Sequence, residues 1–319
     1  MSVTLADIVA ARARIGRVAF ETPLRVSEWL STGEAAVLLK LEIVQPTCSY
    51  KIRGAFNAAQ RLCDDGEEPA PSLVTASAGN HGRALAYAAR MLNLPLVVFI
   101  AGDAPRAKRD AIRAAGADLR ECADYDAAER EAKAYAAAGH GTYISPYSHP
   151  DVIAGAGTIG LELIEQEPYL DTVVVPVGGG GLISGIGIAI KAVSPSTRLV
   201  GVEVAASCPF TKSLEAGRLV TIDVQPSLAD GLTGNLDPDT LTLDIVRDVV
   251  DEIVIVEEPL LRRALAGVVT QDHLLIEGAA AAGPAAILSG QIQIKGNVAV
   301  VLTGANIDSH RVIEILGNP

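Results

Sequence analysis

The chain has 319 residues, 49% of them hydrophobic and 20% charged, which is apolar material enough for a large buried core. Its formal net charge of −12 argues against nucleic acid or an anionic membrane surface as a partner. No uninterrupted apolar run reaches the roughly eighteen residues of a membrane span, and with 4% aromatic residues the core has to be built from Ala, Val, Leu and Ile.

In chain order, residues 1–16 read as an amphipathic helix carrying Asp7, Arg12 and Arg14, without the apolar stretch of a signal peptide, so a cytoplasmic protein is expected. An apolar strand over 37–41 precedes a helix that starts near Lys51. Strands and alanine-rich helices then alternate: strand 72–76, helix 83–92, strand 96–100, helix 106–115, strand 118–121, helix 127–138 and strand 143–145. A second alternating unit begins near Asp151, with a β-branched run at 172–177, a helix at 182–192 and strands at 199–203 and 297–302. This alternation predicts an α/β protein with parallel-type sheets in two doubly wound units. The acidic stretches 64–68 and 248–252 read as solvated loops or strand edges.

Gly178, Gly179, Gly180 and Gly181 stand between the β-branched run and a helix. Residues without a Cβ let successive N–H groups converge on one anion, and the following helix adds its positive N-terminal end, so the run reads as a phosphate site. From Gly179 to Ser184 the sequence comes close to the dinucleotide fingerprint, with Glu203 at a fitting distance, but its third glycine is Ser184 and it lies mid-chain.

Lys51 is one of only seven lysines and sits in Ser49-Tyr50-Lys51-Ile52-Arg53-Gly54-Ala55. Between an aromatic and small residues a lysine can be desolvated, which favours the neutral amine that forms a Schiff base; taken alone it reads more readily as a solvated surface lysine, a reading that weakens once its neighbours are taken together. Ser77-Ala78-Gly79-Asn80-His81-Gly82 follows a short strand and precedes a helix. Such a turn presents N–H groups and a hydroxyl to a carboxylate, or serves simply as a helix cap.

In this order, the Lys51 segment, the Ser77 turn and the glycine run resemble the threonine/serine dehydratase and serine racemase family, pyridoxal-phosphate enzymes of the tryptophan-synthase β-like fold. The likeness extends from Thr22-Pro23-Leu24 through residues 152–158, Ala229-Asp230-Gly231 and Glu277-Gly278 to Thr303-Gly304-Ala305-Asn306. It implies a large cofactor domain of residues 1–71 and 149–319, a small mobile domain of 72–148, and a cleft between them. Lys51 would carry the cofactor and move the Cα proton; Tyr50 would lie against its ring, where the family usually has Phe. Asn80 would hydrogen-bond the ring oxygen, and Gly178, Gly179, Gly180, Gly181 and Leu182 would hold the phosphate. Glu277 would belong to the cofactor site, and Ser77 with the backbone of Ala78, Asn80 and His81 would hold the substrate carboxylate. Thr303, closing the last strand, would meet the pyridine nitrogen. A neutral hydroxyl there stabilises the carbanion less than a carboxylate does, which favours prompt loss of a β-substituent.

The departures refine this expectation. Ala78 stands where racemases of the family carry an acid/base serine, so dehydration is favoured over racemisation. Glu203 matches the first ligand of a divalent site found in some members, but Ser207 and Pro209 follow where a carbonyl and an Asp are wanted, and proline supplies no carboxylate. A divalent cation is therefore not expected, and a monovalent one is left open. Cys48 for Gly and Ala156 for Gln reshape turns beside the expected pocket. Cys48, Cys63, Cys122 and Cys208 read as free thiols, and none of His81, His140, His149, His273 and His310 is assigned catalytic work. Sixteen residues follow Thr303, too few for a regulatory domain, so a catabolic role is expected.

The expected reaction is β-elimination of water from a β-hydroxy L-amino acid of threonine/serine type by a homodimer. The alternatives are a larger substrate such as phenylserine, hydroxyaspartate or a hydroxyectoine derivative, a serine racemase, and, from another class, a nicotinamide-dependent oxidoreductase using the glycine turn.

Overall fold

The computed structural model describes residues 3–33, 35–66, 72–102 and 106–317; Met1 and Ser2 of the first helix and Glu67 and Glu68 of the acidic stretch lie outside them. In chain order the elements are α1 (Leu5–Ile15), β1 (Leu24–Thr32), β2 (Ala35–Leu41), α2 (Lys51–Asp64), β3 (Leu73–Ala76), α3 (Asn80–Leu92), β4 (Leu96–Ala101) and α4 (Arg106–Ala114). There follow β5 (Asp118–Cys122), α5 (Tyr125–Tyr135), β6 (Thr142–Tyr143), α6 (Pro150–Gln166), β7 (Leu170–Pro176), α7 (Gly181–Val193), β8 (Arg198–Val204) and α8 (Pro209–Ala216). The last are α9 (Thr242–Val249), β9 (Glu252–Val256), α10 (Glu258–Gln271), α11 (Ala282–Leu288), β10 (Asn297–Leu302) and α12 (Ser309–Gly317).

Two sheets result, one of six strands in the order β1-β2-β10-β7-β8-β9 and one of four in the order β5-β4-β3-β6. The larger sheet is covered on both faces, which is why its strands are continuously apolar and not alternating. Val298, Val300 and Leu302 of β10 face Leu261, Leu265 and Ala285 of α10 and α11. Ala299 and Val301 face Ile159 of α6 and Ile183 and Ile186 of α7. In the smaller sheet Val98 and Ile100 pack toward α2, α3 and α4. Val97 and Phe99 pack toward Ala128 and Ala132 of α5.

Four expectations need correction. β1 pairs antiparallel with β2, so the larger sheet is mixed. Helix α3 begins at Asn80, three residues earlier than read, because Gly79 takes the cap position and lets Asn80 and His81 enter the first turn. Helix α5 also begins early, at Tyr125, since Asp124 accepts from Ala127 N–H at 2.7 Å as an N-cap. It ends at Tyr135, and a short π-turn with Gly139 at φ 83° completes the segment before a β6 of two residues.

The small sheet meets the large one through charges as well as apolar contacts. Lys133 of α5 lies 3.0 Å from Glu129 and 3.3 Å from Asp237, which precedes α9. The Glu129 carboxyl is pushed up to about 7, by burial first and then by its hydrogen bond with Asp237 and that group's charge, with Lys133 opposing. A carboxyl that binds its proton more tightly folded than unfolded opposes folding increasingly as pH rises from about 4.5 to about 7, and fully above that. Glu129→Gln should therefore raise the melting temperature by about 1–2 °C at pH 8 and by less at pH 5. Thermal unfolding at the two pH values checks this; a gain larger at pH 5 would contradict it.

Candidate active site

The chain after β2 returns beside the end of β10. Tyr50 N–H donates to Thr303 C=O at 3.0 Å and Ala305 N–H to Cys48 C=O at 2.9 Å, with Ser49 and Gly304 bridged between them. This pairing places Lys51, the first residue of α2, at the carboxyl ends of the large sheet, where open α/β sheets bind ligands. Lys51 Nζ donates to Pro146 C=O at 2.7 Å and lies 5.1 Å from the centre of the Tyr50 ring.

Two residues on, a buried network fixes α2. Arg53 donates to Glu42 through Nε and Nη2 at 2.8 Å each, and to Glu162 through Nη1 at 2.5 Å and Nη2 at 2.9 Å. Lys40 joins Glu162 at 2.6 Å. Burial is the largest influence on the Glu42 carboxyl and would raise it, but the charge and hydrogen bonds of Arg53, the Thr22 hydroxyl and the Lys40 charge together outweigh it and hold the group below its ordinary value. Removing either partner would strand a buried charge, so the register of α2, and with it the position of Lys51, is firmly held.

After β7 the glycine run leads into α7. Gly180 has φ 82° and caps α7, whose turn begins with Ser184 N–H bonding Gly180 C=O at 2.9 Å. The N–H groups of Gly181, Leu182 and Ile183 thus lie ahead of the first helical bond, at the positive end of a 13-residue helix. A Cβ on Gly179 would fall 2.2 Å from the Tyr147 ring. Tyr147 is itself pinned, its hydroxyl accepting from Asp237 N–H at 2.9 Å.

The Ser77 turn connects β3 to α3. Ser77 Oγ accepts from Gly79 N–H at 3.2 Å, and the first α3 bond is Arg83 N–H to Gly79 C=O, which leaves the N–H groups of Asn80, His81 and Gly82 ahead of it. Burial, and secondly the Lys51 charge, push the His81 imidazole down to about 3, and its Nε2 lies 3.2 Å from Ile144 C=O. Since a carbonyl only accepts, Nε2 carries the proton of this neutral ring. The side chain is thus turned into the small sheet. Asn80 Nδ2 donates to Glu277 Oε1 at 2.7 Å, and Asn80 Oδ1 accepts from Asn306 Nδ2 at 2.7 Å.

Thr303 is 4% exposed, and its hydroxyl finds no hydrogen-bond partner among the described residues. Glu203, in contrast, is fully engaged: Oε1 accepts from Phe210 N–H at 2.8 Å, and Oε2 from Thr211 N–H at 2.8 Å and Thr211 Oγ1 at 2.6 Å. It caps α8 from inside the fold, with Pro209 as the first helical residue. Among the described residues no group of three or more His, Cys, Asp and Glu side chains is placed to hold a metal. All four cysteines are free thiols. Cys48 is exposed at φ 54°, a conformation glycine adopts without cost. Ala156 is buried in the core with Leu38, Ile159 and Ile183, so it packs against the larger sheet instead of lining an open pocket.

The structure therefore gathers Tyr50, Lys51, Asn80, Glu277 and Thr303 through direct contacts or chain pairing around the ends of β2 and β10, with the glycine run joined to them by the 146–147 segment. Tyr147, Pro146 and Asn306 were missed. Asn306 stands inside a quoted segment, whereas nothing in the sequence around Tyr147 distinguishes it from an ordinary loop aromatic.

Residues 16–304 match the family model of pyridoxal-phosphate dependent enzymes. The chain is 38% identical over 318 residues to the L-threonine ammonia-lyase of Thermotoga maritima, covering 98% of this chain and 78% of that protein. It is 38% identical over 315 residues to serine racemase of Homo sapiens, covering 96% and 92%. The solved structure of maize serine racemase aligns with a TM-score of 0.91 at 30% identity, covering 98% of this chain and 97% of that one. The chain belongs to the family of pyridoxal-phosphate dependent enzymes, and its two-sheet α/β architecture is the fold type II of that family.

The residues fit that cofactor. Four adjacent glycines before a helix suit its phosphate, the buried Thr303 hydroxyl, without a partner among the described residues, suits its ring nitrogen, and Lys51 is held on Pro146 C=O next to Tyr147, which packs on the glycine run.

Proposed function

We propose that the protein is a pyridoxal-phosphate-dependent dehydratase, an ammonia-lyase that removes water from a β-hydroxy L-amino acid of threonine/serine type and yields a 2-oxo acid and ammonia. The observation that carries this reading is Lys51, held by Pro146 C=O at the ends of β2 and β10 beside the unpartnered Thr303 hydroxyl. The presence of Ala78 in the substrate turn supports elimination over racemisation, because a methyl group moves no proton.

Lys51 would hold the cofactor, with its phosphate on the N–H groups from Gly178 to Leu182 and its ring between Tyr50, Asn80, Glu277 and Thr303. Bound there, pyridoxal phosphate supplies the electron sink that makes the substrate Cα–H bond breakable. The N–H groups at the start of α3, with Ser77, bind the substrate carboxylate at the positive end of that helix. Lys51 Nζ takes the Cα proton. The Cβ–O bond then breaks, the oxygen leaves with the electron pair and gains a proton to become water, and the released enamine tautomerises and is hydrolysed to the 2-oxo acid and ammonia. Larger β-hydroxy amino acids are the second reading, favoured by the departure at Cys48.

No divalent cation takes part in this reading, because the Glu203 carboxylate is occupied by three donors of α8; a monovalent ion stays open. Oxo-acid release should be the same in EDTA as in millimolar magnesium, and a loss of activity in EDTA restored by magnesium would contradict the assignment of Glu203. A cytoplasmic homodimer completes the proposal. Among the described residues no helix is long and apolar enough to cross a membrane.

A further inference from the structure

Asn80, on α3 of the small sheet, meets two large-domain residues from distant parts of the chain, and the hydrogen bonds run in one direction only. Asn306 Nδ2 donates to Thr47 C=O at 3.0 Å and to Asn80 Oδ1 at 2.7 Å; Asn80 Nδ2 donates to Glu277 Oε1 at 2.7 Å. Both ends of this chain are acceptors by chemistry, a backbone carbonyl at Thr47 and a carboxylate at Glu277. The Thr47 carbonyl obliges Asn306 to present nitrogen, that nitrogen takes the oxygen of Asn80, and Asn80 is left with its amide nitrogen toward Glu277. An amide otherwise turns over at little cost, since its two ends have the same shape.

We infer that Asn306 is a positioning residue that, acting with Glu277 from the other end, fixes the orientation of the Asn80 amide, so that Asn80 faces the cofactor with a donor and never with an acceptor. The inference rests on the proposed role of Asn80 at the cofactor ring oxygen. One hydrogen of Asn80 Nδ2 is committed to Glu277, and the second is available to that oxygen. Were the amide reversed, Asn80 Oδ1 would face both Glu277 and the ring oxygen, two acceptors against an acceptor, in a half-buried site where unmatched polar groups are costly.

Two variants of the same position separate orientation from packing. Asn306→Asp keeps the shape but offers only acceptors: it can no longer serve Thr47 C=O, and it pairs best with Asn80 Nδ2, which reverses the amide. Asn306→Ala removes the partner and leaves Glu277 to hold Asn80 in its native sense. Cofactor affinity, measured by titrating the stripped protein with pyridoxal phosphate, should fall about tenfold or more in Asn306→Asp and no more than about threefold in Asn306→Ala. The visible absorption band of the loaded protein should shift in Asn306→Asp alone. Equal losses in both variants would reduce Asn306 to a packing residue and overturn the inference, as would an unchanged band and affinity in Asn306→Asp. If the parent protein acquires no lysine-dependent visible band at all, the proposed function itself fails, an outcome recognisable before either variant is made.

Discussion

Lys51→Ala should lower 2-oxo acid release by about a thousandfold or more, because in the proposed reaction one amine both tethers the cofactor and moves the Cα proton. The loss should not come from misfolding. Among the described residues Lys51 Nζ is held by Pro146 C=O and the Tyr50 ring face, whereas α2 is anchored by Arg53, Glu42 and Glu162, none of which the substitution touches. Far-ultraviolet circular dichroism and the melting temperature of the cofactor-free variant should therefore match the parent. The variant should also lose the lysine-linked visible band while still binding pyridoxal phosphate reversibly through the glycine run. Undiminished turnover would remove Lys51 from the chemistry.

Gly179→Ala should weaken pyridoxal-phosphate binding by about 10- to 100-fold, the equivalent of roughly 1–3 kcal/mol of overpacking. The added methyl would fall 2.2 Å from Cγ of Tyr147, far inside van der Waals contact. The ring cannot swing aside cheaply, because its hydroxyl is held by Asp237 N–H and its own backbone carbonyl lies under Gly181. The loop must move instead, and the N–H groups proposed to hold the phosphate move with it. Titration of the stripped protein with cofactor reads the effect; parent-like affinity would mean that this loop does not hold the phosphate.

These two residues were legible in the sequence for different reasons. The glycine run declares itself, since four residues without a Cβ have no structural use in a simple turn, and the fold makes use of their small size by seating Tyr147 on Gly179. Lys51 was legible through the order of its neighbours, not through its own surroundings. Thr303 followed from its place at the end of an apolar strand, and the two-faced packing of β10 explains why that strand was unmistakable.

The unread parts depend on distance in the chain. Asn80, Glu277 and Asn306 meet from three separate segments, with 197 and 226 residues between the bonded pairs, and no local pattern encodes which amide end faces which partner. The helix starts at Asn80 and Tyr125 were placed late because a cap is decided by one side chain or one glycine, not by the periodicity that follows it. The antiparallel edge of β1 escaped notice because it needs no crossover helix to announce it. Ala156 was expected, as a departure from the family's Gln, to reshape a turn beside the pocket, but its side of α6 faces the sheet.

The most direct test of the whole account is product release by the purified, cofactor-loaded protein from L-serine, L-threonine, L-threo-phenylserine and 3-hydroxyaspartate, with the 2-oxo acid and ammonia measured together and the remaining substrate analysed for its D-enantiomer. The account predicts equal amounts of 2-oxo acid and ammonia from at least one of the four, with the relative rates naming the substrate class and with little D-enantiomer formed. A D-amino acid accumulating faster than the 2-oxo acid, or no product from any of the four by a protein that carries its cofactor, would contradict it.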